Sequence, residues 1–445
     1  MLPPEPVLTG LLAGWLPRQR WFAGKDREIT AVSVRAATEL RPALHHLVLA
    51  VEQGPVVDHY QLIIGIRPDL PERLRPGEIG TVPGHSLRDC DVLYDAAYDP
   101  EANALLLSHM AEETRVGPLR FRHTPGAAID TGLDSAPNAG EQSNTSVIFA
   151  ESYICKLFRR LSPGVNPDLE VNLALSGSEH TPAVIGWMET DTGDTLALLS
   201  EYLHMGTDGW QLAVTSARDW FGDVGADPAG AGGDFAAEAE RLGAATAAVH
   251  RDLADAFGVT TQPRSDLLAM VDRMRAQLSE VCDEVRDLRP QAKAIESAFD
   301  DLAAMSSPLT VQRVHGDYHL GQVMRTETGW VLLDFEGEPA RTPTERKDLA
   351  HPLRDVAGML RSFEYAARFM EAESGLESRA YAWATRNRDA FCRGYASAGG
   401  PDPAEHASLI RAFEFDKAVY EVRYEARNRP SWLHVPLRSL SHLAA

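Results

Sequence analysis

The sequence predicts an α+β fold in two lobes, preceded by a small α+β cap. Three observations predict it. Strand-like apolar runs broken by turn residues fill the first two hundred residues, and helix-period patterns fill most of the rest. Between those helices lies a strand-turn-strand stretch, Val314 to Pro339, VHGDYHLGQVMRTETGWVLLDFEGEP, that concentrates carboxylates at turns. A chain of 445 residues exceeds one ordinary core and divides into domains, drawn here as 1–95, 96–203 and 204–445.

The first segment opens on an apolar helix, Val7–Leu16, followed by strands at Ile29–Val34, Leu47–Val51 and Val57–Ile66 with a Gly54-Pro55 turn. Arg18, Arg20, Trp21 and Lys25 form a basic and aromatic cluster that either contacts a ligand or pins the cap to its neighbour. In the second segment a helix, Asn103–Glu113, precedes strands Thr145–Phe149, Tyr153–Phe158, Ala183–Met188 and Thr195–Tyr202. The last two flank the acidic turn ETDTGD and read as a hairpin. Residues 122–144, rich in Gly, Pro, Ala and Asp, read as a mobile loop, and Gly222–Asp234 as a second loose segment. Helices are expected at Phe235–Phe257, Leu267–Leu288, Gln291–Ala304, Leu353–Met370, Ser378–Ala396 and Ala404–Glu425.

A formal charge of −21 argues against nucleic acid as a partner, because phosphate-backbone binding is driven by lysine and arginine. An acidic protein that binds a phosphate ligand must build its positive field locally, which draws attention to the few lysines. No apolar run has membrane-spanning length and the N-terminus has no signal-peptide pattern, so a cytoplasmic protein with no membrane partner is expected. Cys90, Cys155, Cys282 and Cys392 lack metal-ligand spacing and are assigned no chemistry.

Asp317 in a His-Gly-Asp turn, Gln322 five positions later and Asp334 after an apolar strand supply what phosphoryl transfer from ATP requires. One carboxylate accepts the hydrogen bond of the attacking hydroxyl, while an amide oxygen and a second carboxylate hold Mg2+. The spacing matches H-R-D-x-x-x-x-N, and Asp334-Phe335 begins like D-F-G. Gly316 and Gln322 depart from the protein-kinase pattern, as does Asp334-Phe335-Glu336-Gly337. Upstream, Lys156 lies in a strand and Glu170 in a helical segment, Pro167–Leu175, the order of a phosphate-clamping lysine and its glutamate. Ser143, Asn144 and Thr145 form a polar turn suited to phosphate oxygens, with an ordinary polar hairpin as the alternative. Glu201 and Leu203, at the hairpin end, are placed where backbone groups would meet adenine. His315 reads as holding the loop, His319 as either structural or sugar-contacting, and Asp355 as capping a helix or bracing the catalytic turn. Glu336 and Glu338 are candidates for the metal shell or the substrate. Glu421, Tyr424, Glu425, Arg427 and Trp432 interleave carboxylates, an arginine and rings as sugar sites do, and Tyr420 reads as core.

The H-G-D form resembles the aminoglycoside phosphotransferase branch of the eukaryotic-like kinases, whose acceptors are small molecules. HGDYHLGQV, DFEGEP, RDVAGMLRSFEYAA and KAVYEVRYEARNRPSWLHVPL resemble the actinobacterial maltokinase family, and with QRWFAGK the likeness spans nearly the whole chain. The resemblance implies a bilobal kinase fold with an N-terminal cap and ATP and Mg2+ as cofactors. It further implies maltose as acceptor, maltose 1-phosphate as product for α-glucan and glycogen synthesis, and association with a trehalose synthase. A glucosamine or aminoglycoside kinase would share the ATP-site residues and use Glu421 and Glu425 for an ammonium. A non-catalytic pseudokinase binding module is the alternative outside enzymes.

Overall fold

The computed structural model describes residues 2–83, 90–138, 143–222, 234–338, 341–342, 344–374 and 376–444. The chain packs as two compact units, Met1–Leu173 with Pro182–His204, and Ala174–Thr181 with Met205–Ala445.

The first unit holds two antiparallel sheets. One runs in the order Ala31–Arg41, Leu44–Gln53, Val56–Arg67, Cys90–Asp95, Glu78–Pro83. Alternation along its central strands turns Leu47, Leu49, Val51, Leu62 and Ile64 to one face, where the helix Glu5–Trp15 covers them with Leu8, Leu12 and Trp15. The second sheet runs Arg115–Val116, Leu119–His123, Val184–Thr190, Thr195–Glu201, Tyr153–Leu157, Thr145–Phe149, Ser135–Pro137. The opposite face of the first sheet shares a core with it: Leu44, Ile63 and Tyr94 pack in one cluster with Phe121, Val147, Leu157 and Leu199.

Cap and second segment thus share a core across the boundary drawn near residue 95. Polar contacts fasten the join as well. Arg160 pairs with Tyr60 as an added strand, Gln61 donates to the Phe158 carbonyl at 2.9 Å, and buried Arg159 meets buried Asp95 at 2.6 Å under the Trp21 ring. Trp21 thus pins the cap. Within the loop expected over 122–144, residues 124–134 form no helix or strand, and a short strand follows them. Ser135–Pro137 forms the edge strand beside Thr145–Phe149, Ile129 and Leu133 pack on the core, and Asp130 N–H meets the Tyr153 hydroxyl at 3.2 Å. A three-residue edge strand carries too little alternation to read from sequence. Residues 139–142 of that segment, and 223–233 of the second loose segment, lie outside the described residues.

The second unit is helical: Gly209–Gly222, Ala236–Phe257, Arg264–Glu284, Ala292–Ala304, Leu353–Ser374, Glu377–Ser397, Ala407–Asn428 and His434–Ala444. Sequence periodicity finds all of these except the first and last. Two small sheets lie among them, Thr207–Asp208 with Val323–Arg325 and Trp330–Leu332, and Val259–Gln262 with Leu309–Gln312. No helix among the described residues is long and apolar enough to cross a membrane.

Helices Ala236–Phe257 and Glu377–Ser397 pack backbone against backbone, and only glycine permits it at two positions. A methyl on Gly394 would overlap the Glu240 carbonyl, and one on Gly243 the Phe391 carbonyl, whereas nothing stands near Gly14 on the first helix. Gly394→Ala should therefore lower unfolding free energy by about 1–3 kcal/mol through overpacking. Gly14→Ala should leave it unchanged or raise it by up to about 1 kcal/mol through helix propensity. Denaturant titration of the two variants beside wild type checks both signs.

Candidate active site

The His-Gly-Asp turn leaves the strand Leu309–Gln312, passes His315, Gly316 and Asp317, and closes in a helical turn, Leu320–Gln322. Gly316 sits at φ +86°, left-handed backbone that suits glycine, with Gly337 close by. Asp355, in the first turn of helix Leu353–Ser374, fixes this backbone. Its carboxylate accepts His315 N–H at 2.7 Å, Gly316 N–H at 3.0 Å and His250 Nε2 at 3.0 Å, and the Tyr395 hydroxyl lies 2.8 Å from His250 Nδ1. Burial pushes the Asp355 pKa up, but the His250 bond and the nearby donors outweigh it, so the group sits below its ordinary value. His315 donates from Nε2 to the Leu333 carbonyl at 2.8 Å, tying the turn to the strand that carries Asp334. Asp355 is thus the brace suggested by its position, and His315 the loop-holding residue.

Asp317 is held between Lys417 and His319. Lys417 Nζ, from helix Ala407–Asn428, lies 3.0 Å from one oxygen, and His319 Nε2 lies 4.0 Å from the other. Burial would raise the Asp317 pKa, yet the Lys417 charge, with His319 and the Lys417 hydrogen bond, pulls it down to about 2. Asp317 is therefore ionised throughout the neutral range. Burial lowers the pKa of His319, while Asp317 and Glu338, 3.6 Å away, overcome burial at Lys417 and keep it charged. Sequence reasoning did not single out Lys417. The signal was present, for only Lys25, Lys156, Lys293, Lys347 and Lys417 stand among 43 basic residues, and a compact ammonium suits a role beside a small carboxylate.

Asp334 follows the strand Trp330–Leu332 at φ +62°, a strained value for a non-glycine residue and an observed outlier of the kind that clusters at functional sites. Gln322 Nε2 donates to Asp334 at 3.1 Å, leaving the amide oxygen on its other edge. A carboxylate beside an amide oxygen is a donor set suited to a hard divalent cation. Glu336 lies 3.8 Å from Arg346, and Glu338 is 3.0 Å from Arg341.

In the first unit, Lys156 Nζ on strand Tyr153–Leu157 is 3.1 Å from Asp168, which precedes Glu170 by two positions on helix Pro167–Ala174. Asp168 thus stands beside this ammonium on the same helix as Glu170, the glutamate expected from spacing. Asn172 Nδ2 donates to Asp168 Oδ1 at 3.0 Å, and Asn166 Oδ1 accepts Asp168 N–H at 2.8 Å, fixing that residue at the helix start. Asn144 is buried and donates to exposed Ser143 at 3.3 Å, while the Thr145 hydroxyl accepts Arg159 Nε at 2.8 Å and so faces the interior. Glu201 accepts Ala183 N–H at 2.8 Å, and Leu203 follows in extended chain.

The closing helix separates residues that alternate in sequence. Lys417, Glu421 and Glu425 recur at helical spacing toward helix Leu353–Ser374. Glu421 meets buried Arg361 at 2.6 Å, and Glu425, 2 % exposed, accepts the Tyr365 hydroxyl and Arg429 at 2.6 Å. Glu425 Oε2 is buried with no hydrogen-bond partner. Above these pairs Trp432 lies 5.0 Å from Phe369 and 6.3 Å from Tyr365, and Trp210 packs on both of the latter rings. Tyr424 and Arg427 lie on a different face of this helix from Glu421 and Glu425. They line a groove of about 1130 Å3 with Tyr420 and Arg273, whose wall includes Lys417 but not Asp317. Arg427 there forks onto Glu284 at 2.8 Å. Tyr420, read as core, faces this groove under the Lys417 ammonium.

Comparison with known proteins matches residues 15–99 to the maltokinase N-terminal cap domain and residues 135–405 to the phosphotransferase enzyme family. A glucosamine kinase of Streptacidiphilus jiangxiensis is 28 % identical over 347 residues, 72 % of this chain and 77 % of that protein. A glucosamine kinase of Mycolicibacterium smegmatis is 28 % identical over 71 % of this chain and 81 % of that protein. Among solved structures, a glucosamine kinase in complex with glucosamine, ADP and inorganic phosphate superposes with TM-score 0.69 over 100 % of both chains at 21 % identity, the same fold.

The Asp317 pKa sets a pH prediction. A depressed carboxylate keeps its charge until pH falls to about 2, so Asp317 should produce no loss of kcat/KM across the mildly acidic range in wild type. Lys417→Met removes the cation that lowers it, so the acid limb should move upward, toward or above the ordinary value of about 4. A pH–rate profile of the two proteins reads the shift.

Proposed function

The chain belongs to the phosphotransferase enzyme family, and from that premise we propose that it transfers the γ-phosphoryl group of ATP to the anomeric hydroxyl of maltose, giving maltose 1-phosphate. The observation that carries the reading is the ionised, cation-held Asp317 beside a strip of carboxylates and rings, Glu421, Glu425, Tyr365 and Trp432, on two facing helices. Asp317 takes the hydrogen bond and then the proton of the attacking hydroxyl, and His319 stands within reach of the same oxygen. Ring faces cover the apolar side of a sugar, and the unpartnered Glu425 Oε2 suits a hydroxyl donor, since an unsatisfied buried oxygen costs about 1–3 kcal/mol. Lys156, steadied by Asp168, holds nucleotide phosphates with Glu170, Ser143 and Asn144 nearby in sequence. Gln322 and Asp334 fit Mg2+, which when bound neutralises phosphate charge.

Support for maltose comes from the maltokinase-type cap and the C-terminal phrases. The same resemblance carries a place in α-glucan synthesis and an association with a trehalose synthase. A second reading, phosphorylation of glucosamine, is favoured by the names of the curated relatives at 28 % identity. ADP release measured with maltose, glucose, glucosamine and an aminoglycoside decides between them, and maltose should give the highest kcat/KM.

Two substitutions test the roles. Asp317→Asn should retain nucleotide binding and lose about 10²–10⁴-fold in kcat, the usual contribution of a general base; retention of more than about a tenth would remove the assignment. Trp432→Ala should raise the maltose KM by about threefold to tenfold, the loss of one aromatic contact, with the ATP KM nearly unchanged. Thermal melting of the variant separates this from unfolding, because Trp432 also packs on Phe369.

A further inference from the structure

Lys417 stands where an acceptor must approach. The attacking hydroxyl has to come within hydrogen-bond reach of Asp317, and the Lys417 ammonium already lies 3.0 Å from that carboxylate. Any group on the carbon next to the reacting hydroxyl is therefore held within a few ångströms of a fixed positive charge.

The carboxylates nearby are already matched. Asp317 and Glu338 share Lys417, Glu338 also meets Arg341 at 3.0 Å, and Asp416 meets Arg354 at 3.3 Å. One helical step further from the base, Glu421 is engaged by Arg361 at 2.6 Å. Glu425, whose Oε2 has no partner, is two such steps from Lys417, about 12 Å along the helix axis. Among the described residues, an ammonium beside the reacting hydroxyl would thus meet a cation, while the carboxylates around it are already paired. A hydroxyl in the same place both donates and accepts, so it pairs with Asp317 or Glu338 on one side and with Lys417 on the other.

We propose that Lys417 is a specificity-determining residue that reserves the acceptor site for neutral, hydroxyl-bearing sugars and excludes amino sugars with an ammonium next to the reacting hydroxyl. The inference deepens the kinase reading above and rests on Asp317 acting at the acceptor. It runs against the acceptor named for the curated relatives, so it distinguishes this chain from them.

Glucose and glucosamine differ only at C2, hydroxyl against ammonium, and make the test pair. The full-length protein with Mg-ATP is assayed for ADP release on each near neutral pH, beside Lys417→Gln and Lys417→Arg, with melting curves for all three. Wild type and Lys417→Arg should favour glucose by about tenfold or more in kcat/KM, as a like charge a few ångströms away imposes even when partly screened. Lys417→Gln should bring the ratio toward one. An unchanged ratio in a folded Lys417→Gln, or a wild type that prefers glucosamine, overturns the proposal. Should Lys417→Gln melt early, calorimetric binding to wild type decides: glucosamine bound as tightly as glucose also overturns it. A wild type that phosphorylates glucose but not maltose, with the ratio shifting as stated, removes the maltose reading and leaves Lys417 in its role.

Discussion

The buried carboxylate of Asp355 is the interaction on which the rest of the site depends. An ionised carboxylate inside a protein is costly unless its oxygens are filled, and here two backbone amides and an imidazole fill them. The two amides belong to His315 and Gly316, so satisfying the charge also fixes the backbone that presents Asp317. Gly316 accepts the left-handed geometry this requires, and His315 carries the constraint onward to the Leu333 carbonyl, one residue before Asp334. One carboxylate at a helix start thereby helps set the positions of both Asp317 and Asp334. No long-range field is required for this, only local donors of the right count.

Charge is the second constraint, and it comes from the far end of the chain. A protein with formal charge −21 must hold the buried Asp317 carboxylate ionised by local means, and Lys417, a hundred residues later, supplies them. The helix that carries Lys417 also sorts its later residues onto two faces. At 3.6 residues per turn, Glu421 and Glu425 fall toward Arg361 and Tyr365, while Tyr420, Tyr424 and Arg427 fall toward the groove with Arg273. The same helix therefore builds two different surfaces, and only the first continues from the base along paired carboxylates and rings.

Much of this was legible in the sequence where the signal is local. The strand Thr145–Phe149 and the strand Tyr153–Leu157 alternate apolar positions in short runs, and the long helices repeat at helical spacing, so their existence follows from periodicity. The His-Gly-Asp turn, Gln322 and Asp334 follow from spacing that phosphoryl-transfer chemistry imposes. The features that escaped depend on contacts between distant segments. Asp168, fixed by Asn166 and Asn172, stands 3.1 Å from Lys156, and no spacing rule sees those amides. Lys417 reaches Asp317 across a hundred positions, and Tyr424 and Arg427 were grouped with Glu421 because sequence interleaves residues that a helix separates. The join between cap and second segment rests on Gln61 and Arg160 meeting residues far along the chain, a tertiary fact with no local trace.

The central claim is that Asp317, held ionised by Lys417 and fixed by Asp355, activates the anomeric hydroxyl of maltose toward the γ-phosphoryl of ATP. Phosphorus NMR of the products formed from maltose and Mg-ATP tests it most directly, because it reports both the transfer and the position of the new ester. The account predicts ADP and an equal amount of a glycosyl phosphate whose phosphorus couples to the anomeric proton. A phosphate ester on a primary hydroxyl, or ADP with inorganic phosphate and no sugar ester, would contradict it.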